Sequence, residues 1–369
     1  MARKLASDKV LFAVLVALSL FGCVMIYSAS AVSAGETSGN PYRYLVRQIA
    51  ALAVGGLAAF AVYRTDYRFF SRPWVVYGIY VGSLLLCAAA LFHSPVNAAR
   101  RWVSYGPLRF QPSETLKIGL VLLLAYQIAR KQRRHGEAEG AIVPAVILTV
   151  LAAGLVLAEP DLGTAACYMM IAAVVLWLAG LRTRFFWIAA ACLPPLLAAF
   201  AFSTAYRRAR LLSFLNPEAD PLGAGFQTIQ SLIAVGAGGW TGNGLGGGRQ
   251  KLFFLPYPHT DFIFAIVGEE LGFVGAVAVV LCFAIVAWRG LRAARRAPDV
   301  FAALLASGAT AMIVVQAAIN ISVALGLVPT KGIPLPFVSY GGSSIVASWI
   351  AGGLILNISQ HEVTQAEGT

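Results

Sequence analysis

Acidic side chains cluster late in the chain, where a polar segment meets a long apolar one. Asp261 lies in the sequence Pro-His-Thr-Asp-Phe of residues 258–262, and Glu269 and Glu270 follow soon after it. An ionised side chain at membrane depth costs about 2.5–3.5 kcal/mol on insertion scales. We therefore interpret these acids as markers of chemistry, and a carboxylate in such a place is suited to act as a general base.

A second group of polar residues is cationic. Arg100, Arg101 and Arg109 precede one apolar segment, and Lys331 precedes the last one. Arg and Lys bind phosphate strongly when they are partly desolvated, so these residues predict a site for an anionic ligand. The alternative is that they contact anionic lipid headgroups.

Further polar residues lie at the ends and in the interior of apolar segments. Glu114 and Lys117 are three residues apart on one predicted helix face, so they form either an intramembrane ion pair or part of a site. Asp161 lies at a predicted outer helix end, and Gln316 and Asn320 are spaced i, i+4. A polar cavity that opens outward would collect all five residues.

The elements that position these residues are membrane helices. With 59% hydrophobic and 12% charged residues, the 369-residue chain is not a water-soluble globule. Apolar runs of about 20 residues, enough to cross a hydrocarbon core of about 30 Å, recur along the chain. We predict an all-α polytopic membrane protein, one domain over residues 1–369, with about ten transmembrane helices. Their predicted spans are 10–30, 47–63, 74–92, 113–130, 142–158, 164–181, 186–203, 264–288, 301–325 and 343–358.

Basic residues set the predicted orientation, because cytoplasmic loops are enriched in Lys and Arg. They cluster in alternate loops, near residues 3–9, 64–72, 130–134, 182–184 and 289–296. Both termini are then cytoplasmic, and a long loop of about 204–262, between the seventh and eighth predicted helices, lies on the outer face. The net charge of +12 reflects this bias and does not indicate nucleic acid as a partner.

The long outer loop has structure of its own. Residues 226–235 have the apolar spacing of a helix that lies on or dips into the membrane surface. Residues 242–247 match a G-x-G-x-x-G pattern, but no strand–helix context surrounds them, so we do not predict a dinucleotide site. These glycines are better suited to tight turns and to close approach to a ligand or a neighbouring helix. Histidines and cysteines form no metal-ligand pattern, whereas carboxylates together with a substrate phosphate could hold a divalent cation.

Several of these segments together resemble one protein family. They are Ala-Arg-Arg-Trp at 99–102, Phe-Gln-Pro-Ser-Glu at 110–114, Pro-Asp-Leu-Gly-Thr at 160–164, His-Thr-Asp-Phe-Ile-Phe at 259–264 and the run 320–344. In this order they resemble the SEDS family of shape, elongation, division and sporulation proteins. Residues 250–256 and 329–332 are more similar to its division member than to its elongation member. Glu159 and Tyr257 depart from the family pattern, which usually has glutamine and often an acidic residue at these positions.

The resemblance implies ten transmembrane helices and a peptidoglycan glycosyltransferase that polymerises lipid II during cell division. The reaction would take place at the outer face of the cytoplasmic (inner) membrane, at the division septum. Lipid II is a disaccharide-pentapeptide linked to undecaprenyl diphosphate. The resemblance also implies a class B penicillin-binding protein as partner, together with other divisome proteins and membrane lipid.

Roles follow for the candidate site residues. Asp261 is the predicted base of an inverting transfer, with capping of the eighth membrane helix as its alternative role. Ser343 and Ser344 either bind substrate or cap the last helix, and capping is favoured. A Mg²⁺ or Mn²⁺ ion could share the task of stabilising the leaving diphosphate, and no organic cofactor is expected. The predicted substrate-binding residues are Arg100, Arg101, Glu114, Lys117, Asp161, Gln230, Lys331 and Ser343.

Three alternative functions stay open. An elongation-type polymerase would catalyse the same reaction. A lipid II flippase would suit a charged cavity among ten helices, but known transporter folds often show paired repeats and helices broken at mid-membrane. Here the polar motifs gather at outer helix ends instead. A scaffold that only recruits division proteins predicts that Asp261 is dispensable.

Overall fold

A computed structural model describes residues 7–93, 100–105, 108–135, 139–185, 212–223 and 225–361, together with the single residues 187, 191 and 208. The predicted membrane span at 186–203 lies outside the described residues, apart from two positions. Most of the described chain is helical. Its α-helices are α1 (Lys9–Ser38), α2 (Arg43–Arg64), α3 (Pro73–Ala90), α4 (Pro112–His135), α5 (Ile142–Ala158), α6 (Leu162–Leu178), α7 (Phe226–Ala237), α8 (Ile263–Arg295), α9 (Val300–Ala324) and α10 (Gly342–Ser359).

Membrane-spanning helices dominate this arrangement. Within the described residues, α1, α2, α3, α8, α9 and α10 are long and apolar enough to cross a membrane. Helices α5 and α6 are apolar and have 17 residues each, and α4 carries a buried ion pair near its start. The prediction of an all-α polytopic membrane protein is confirmed, and the count of ten spans stays a prediction. Helices α1 and α8 extend beyond their predicted spans by eight and seven residues at their C-terminal ends.

A short β-hairpin, which the sequence analysis did not predict, connects α3 to α4. Strand β1 (Val103–Tyr105) pairs antiparallel with β2 (Leu108–Phe110), with Val103 opposite Phe110. Apolar, β-prone residues alternate there with Ser104 and Arg109, which is the period of a strand. Arg101 lies two residues before β1, and α4 begins two residues after β2, so the hairpin places Arg101 near the start of α4.

Helices α4, α9 and α10 form the interior of the bundle. Most side chains of α9 and α10 are buried, and the first three turns of α4 are buried almost completely. Helix α10 approaches α2 closely because Gly353 has no side chain: a Cβ atom there would lie 2.9 Å from the Ala59 backbone oxygen. Small residues allow such close approach between membrane helices. Helices α2 and α10 therefore pack directly against each other at this position.

Helix α8 is interrupted at Gly272, whose φ of 66° and ψ of −163° are not helical. The outer loop fills the break, since the Phe273 N–H donates to the Gly239 oxygen at 2.8 Å and the Val274 N–H to the Trp240 oxygen at 3.2 Å. Backbone groups at membrane depth need such partners when a helix breaks. The break therefore joins the glycine-rich part of the loop to α8.

Candidate active site

Hydrogen bonds fasten the last loop of the chain to the segment that carries Asp261. The side-chain amide of Asn320, on α9, donates to the backbone oxygens of Asp261 at 2.8 Å and Ile333 at 2.7 Å. The Ser339 hydroxyl donates to the Thr260 oxygen at 2.6 Å. Two loops far apart in sequence are therefore held in fixed register beside each other.

Arg101 and Asp161 form a partly exposed ion pair at this end of the bundle. Arg101 Nη1 lies 2.9 Å from Asp161 Oδ2, and the side chains are 22% and 4% exposed. Asp161 is also the N-cap of α6, because its oxygens accept from the Thr164 N–H and the Thr164 hydroxyl, both at 3.0 Å. The cap holds the carboxylate still, so Asp161 can orient the guanidinium.

The Asp261 carboxylate lies near the Arg101 guanidinium, and both are close to Gly332. A Cβ atom added at Gly332 would lie 3.1 Å from Asp261 Oδ2 and 3.5 Å from Arg101 Nη2, so the carboxylate and the guanidinium flank one point of the last loop. Burial lowers the pKa of Arg101, but the charges of Asp161, Asp261 and Glu159 outweigh that effect and raise it overall. Arg101 is thus a permanent cation beside the predicted base.

Lys331 lies next to this point, and the start of α6 supports it. A Cβ atom at Gly163 would lie 2.8 Å from Ile333 Cδ1 and 3.3 Å from Lys331 Cβ, so the last loop rests directly on a glycine of α6. Lys331, Asp261 and Arg101 are all partly accessible. The structure therefore brings four predicted site residues together: Arg101, Asp161, Asp261 and Lys331.

Two other predicted residues lie apart from this group. Arg100 is exposed, and its Nη1 donates to the Leu91 oxygen at 3.3 Å, at the end of α3. Gln230 is partly buried on α7, where the neighbouring Ser231 hydroxyl donates to the Ala324 oxygen at 2.7 Å. Within the described part of the chain, no hydrogen bond connects Gln230 to Arg101 or Asp161. Their roles in substrate binding stay predictions.

Glu114 and Lys117 lie in a buried polar layer that joins α4, α9, α10 and the last loop. Lys117 Nζ is 2.8 Å from Glu114 Oε2 and donates to Gln316 Oε1 at 2.5 Å. The Gln316 amide in turn donates to the Pro334 oxygen at 2.9 Å and to Ser344 Oγ at 3.2 Å. The two charged side chains are only 2% and 4% exposed, so this geometry supports the ion-pair alternative. Through Gln316, this layer is hydrogen-bonded to the backbone of the last loop at Pro334.

The structure does not place Ser343, Ser344 or Asp261 at the N-cap of a helix. The N-cap of α10 is Gly341, whereas Ser343 Oγ accepts from the Gln111 N–H at 2.9 Å and so ties α10 to the start of α4. The favoured interpretation of Ser343 and Ser344 as helix caps is wrong, because both hydroxyls bond to other helices. Asp261 is not the cap of α8 either, since Phe262 occupies that position.

Glu269 and Glu270 have a different role from Asp261. Glu270 Oε1 is 2.6 Å from Lys251 Nζ, and its oxygens accept from the Ser28 hydroxyl at 2.8 and 2.7 Å and the Gly246 N–H at 3.1 Å. Glu269 accepts from the backbone of residues 249 and 250, at 2.6 and 3.1 Å for Oε1. Both side chains are no more than 1% exposed. They bond the glycine-rich loop to α8, which supports a structural role for these two residues, and the expectation of chemistry there stays a prediction.

The predicted close approach of the glycine-rich loop to a helix is confirmed. Gly242 has a φ of +79°, which favours glycine, and a Cβ atom there would lie 2.1 Å from the Glu270 backbone oxygen. Helix α7 likewise matches the helix predicted within the outer loop. Whether α7 lies on the membrane surface stays a prediction.

Sequence reasoning missed two groups beside the site. Gln48, buried on α2, donates to the Ser339 oxygen and accepts from the Gly341 N–H, both at 3.3 Å. The His259 ring lies against Tyr44, with ring centres 4.4 Å apart, and burial lowers the pKa of His259 to about 4. A lone glutamine inside an apolar span was the available signal for Gln48.

A polar cluster at one end of an apolar helical bundle is typical of a membrane protein that acts on a ligand at the membrane surface. The comparisons identify this class further. Residues 8–364 match the family model FTSW_RODA_SPOVE, described as cell cycle protein. The chain belongs to this family, which confirms the resemblance drawn from the motifs.

Named relatives cover nearly the whole chain. The chain is 40% identical to the "Probable peptidoglycan glycosyltransferase FtsW" of Trichlorobacter lovleyi, over 95% of this chain and 93% of the relative. It is 38% identical to the "Stage V sporulation protein E" of Bacillus subtilis, over 97% and 98% of the two chains.

Solved structures share the fold. One chain, from "Structural coordination of polymerization and crosslinking by a peptidoglycan synthase complex", is 35% identical, with a TM-score of 0.77, and the match covers 96% of this chain and 98% of that chain. The rod shape determining protein RodA of Thermus thermophilus is 30% identical, with a TM-score of 0.71 and coverage of 98% and 99%.

Proposed function

We propose that the protein is a peptidoglycan glycosyltransferase that polymerises lipid II into glycan strands at the outer face of the cytoplasmic membrane during cell division. One observation carries this proposal. Asp261 Oδ2 and Arg101 Nη2 both lie within 3.5 Å of the position that a Cβ atom at Gly332 would occupy, and both residues are partly accessible. A carboxylate and a fixed guanidinium side by side suit a transfer in which one group loses a proton and another leaves as an anion. The names of the relatives point to the same activity.

In the proposed reaction the 4-hydroxyl of an acceptor sugar attacks the anomeric carbon of a donor. The new C–O bond forms as the bond from that carbon to the lipid diphosphate breaks, and the α-linked donor becomes a β-linkage. Asp261 accepts the hydroxyl proton, which typically contributes about 10²–10⁴-fold to the rate. The bonding electrons leave with the diphosphate, whose charge Arg101 and Lys331 stabilise.

The other residues position this machinery. Asp161 holds Arg101 through the 2.9 Å ion pair, and Asn320 fixes the backbone of Asp261. The buried pair of Glu114 and Lys117 supports the last loop through Gln316. Arg100 and Gln230 would meet more distant parts of the substrate, such as its sugars or peptide, whereas the buried Ser343 would hold α10 against the start of α4.

A Mg²⁺ or Mn²⁺ ion fits this site only as an ion shared with the substrate. Among the described residues no three His, Cys, Asp or Glu side chains lie close enough to form a metal site, and Asp161 is already bonded to Arg101 and Thr164. Mg²⁺ often binds through one or two carboxylates plus substrate phosphates. Asp261 would be the protein ligand, and the ion would neutralise charge on the diphosphate.

Lipid II transport is the second candidate, because α8 is broken at Gly272 and broken helices are frequent in transporters. Here, however, residues 239 and 240 fill the break with backbone hydrogen bonds, and the acids beside it are paired. The polar groups at the break therefore have partners within the protein. This arrangement favours the polymerase.

Partners and cellular role complete the proposal. A class B penicillin-binding protein would supply the crosslinking transpeptidase, and other divisome proteins would bring the enzyme to the septum. One structural neighbour comes from a peptidoglycan synthase complex, which supports a synthase partner. The division role, rather than an elongation role, rests on the segments 250–256 and 329–332 and on the 40% identity to the FtsW relative.

The test is polymerisation of fluorescent lipid II by the purified protein with its cognate class B penicillin-binding protein, the latter lacking its active-site serine. Glycan strands from the wild type, and none from the Asp261→Asn variant, are the expected result. A parallel assay measures transfer of the same lipid across liposomes. Transport without polymer would replace the polymerase with the flippase. Polymer at equal rates from both proteins would remove Asp261 as the base.

A further inference from the structure

A polar cavity lies at the end of the helical bundle opposite the candidate active site. Its volume is about 510 Å³, within the range of small-molecule sites. It lies between the short 3₁₀ helix Tyr67–Ser71, the last turns of α4 and the start of α9. Its polar lining includes Tyr67, Arg68, Tyr126, Arg130, Arg133 and Asp299.

This cavity is distinct from the candidate active site. Helix α4 begins at Pro112 beside the outer cluster and reaches the cavity at Arg130 and Arg133. At 1.5 Å per residue, the two sites are separated by roughly 30 Å, about the thickness of the hydrocarbon core. The basic clusters assign the cavity end to the cytoplasm.

Positive charge dominates the cavity lining. Asp299 is its only described carboxylate, and both oxygens are already bonded: the Tyr67 hydroxyl donates to Oδ2 at 2.8 Å and the Ala302 N–H to Oδ1 at 2.9 Å. Within the described residues, Arg68, Arg130 and Arg133 form no ion pair with a carboxylate. All three arginines are exposed, and although Arg68 Nε donates to the Tyr67 hydroxyl at 3.4 Å, guanidinium N–H donors remain for a ligand.

Aromatic and basic residues lie next in sequence to the 3₁₀ helix that lines the cavity. Trp74, in the first turn of α3, is 64% exposed and packs edge-on against Phe69, with ring centres 5.5 Å apart. Arg72 lies over the Phe69 ring, 5.3 Å from its centre. Exposed tryptophan beside arginine is typical of the membrane–water interface. This end of the bundle is therefore expected at the level of the inner-leaflet headgroups.

We infer that this cavity binds a phosphate group from the cytoplasmic side, carried either by an anionic lipid headgroup or by a free phosphate ion. The planar guanidinium forks of Arg68, Arg130 and Arg133 match phosphate oxygens in pairs. The Ser71 hydroxyl adds a further donor in the lining. Basic pockets between membrane helices on the cytoplasmic side bind lipid headgroups by this chemistry.

Lipid retention tests the inference. The wild-type protein and an Arg130→Gln, Arg133→Gln double variant are reconstituted in nanodiscs that contain equal amounts of phosphatidylglycerol and phosphatidylcholine. Native mass spectrometry then counts the lipids that stay bound after extraction. Each charged hydrogen bond to phosphate is worth about tenfold or more in affinity. We therefore expect the double variant to retain at least about tenfold less phosphatidylglycerol than the wild type.

A matched control distinguishes a site from general surface charge. The Arg64→Gln, Arg295→Gln double variant removes two exposed arginines of the same face that lie outside the cavity lining. We expect it to retain phosphatidylglycerol like the wild type. Circular dichroism and the thermal midpoint check that both double variants are folded.

A second arm covers the free ion. Inorganic phosphate, compared with chloride at equal ionic strength, is added to protein in phosphatidylcholine nanodiscs. A higher thermal midpoint of the wild type, absent in the cavity variant, would identify free phosphate as the ligand even without a lipid preference. If neither arm separates the cavity variant from the control variant, the positive charge only sets topology and the inference is overturned.

Discussion

Two sets of carboxylates lie within nine residues of each other, at Asp261 and at Glu269–Glu270, and they have opposite surroundings. Asp261 is partly exposed, and its carboxylate and the Arg101 guanidinium both lie close to Gly332. Glu270 is fully buried and bonded to Lys251, Ser28 and Gly246. An acid that is satisfied on all sides stabilises architecture, whereas an acid that faces an opening can meet a substrate. Exposure and partners, not residue type, separate the two.

The largest effect on stability is expected at the closed set. Glu270→Gln removes the partner of Lys251, which is itself buried, and an unpaired buried charge costs about 3–5 kcal/mol. The thermal midpoint in detergent should fall strongly and the folded yield with it. Adding Lys251→Met to Glu270→Gln should recover part of the loss, because the charge is gone. A single variant as stable as the wild type would contradict the clamp.

The next effect is expected at the open set, on activity. Arg101→Ala removes the guanidinium that faces the leaving diphosphate, so kcat/KM for lipid II should fall about 10–100-fold, the value of one charged hydrogen bond. The thermal midpoint should fall less than with Glu270→Gln, because the buried Asp161 carboxylate keeps its two hydrogen bonds from Thr164. Arg101→Lys should restore some activity but not the forked geometry. Unchanged kinetics with Arg101→Ala would leave Arg101 a purely structural residue.

A smaller effect is expected from one added methyl group. Gly332→Ala places a Cβ atom 3.1 Å from Asp261 Oδ2, so the carboxylate must move by a few tenths of an ångström. Such a displacement should lower kcat by roughly two- to tenfold, because catalytic geometry tolerates little error. Gly56→Ala is the control, since a Cβ atom at Gly56 meets nothing within 4 Å. Equal kcat values for the two variants would show that the position of Gly332 does not affect the reacting groups.

The last effect is absent at neutral pH, appears only on acidification, and concerns His259. Because its pKa is lowered to about 4 in the folded protein and is about 6.5 in an unfolded chain, the unfolded state takes up a proton first as the pH falls. Stability should therefore be constant above pH 6.5 and decrease between pH 6.5 and 4. His259→Gln should reduce this decrease in the thermal midpoint. An identical pH profile in the variant would show that another group is responsible.

The sequence predicted most of the fold and part of the site. Apolar runs reveal membrane helices because length and hydrophobicity alone decide them, and the ordered motifs revealed the family. The partner of each polar residue could not be read in the same way. Glu270 meets Ser28 across 242 residues, and Ser343 meets the backbone of Gln111 across 232. The break at Gly272 also depends on residues 239 and 240 that fill it.

The most direct test measures polymerisation and thermal stability together for two isosteric variants, Asp261→Asn and Glu270→Gln, each in complex with the class B penicillin-binding protein. The account predicts that Asp261→Asn loses at least about 10²-fold in polymerisation at an unchanged thermal midpoint. Glu270→Gln should instead lose stability, while the fraction that stays folded keeps polymerising. If Asp261→Asn retains full activity, or if Glu270→Gln is stable but inactive, the assignment of chemistry to the open set and architecture to the closed set is wrong.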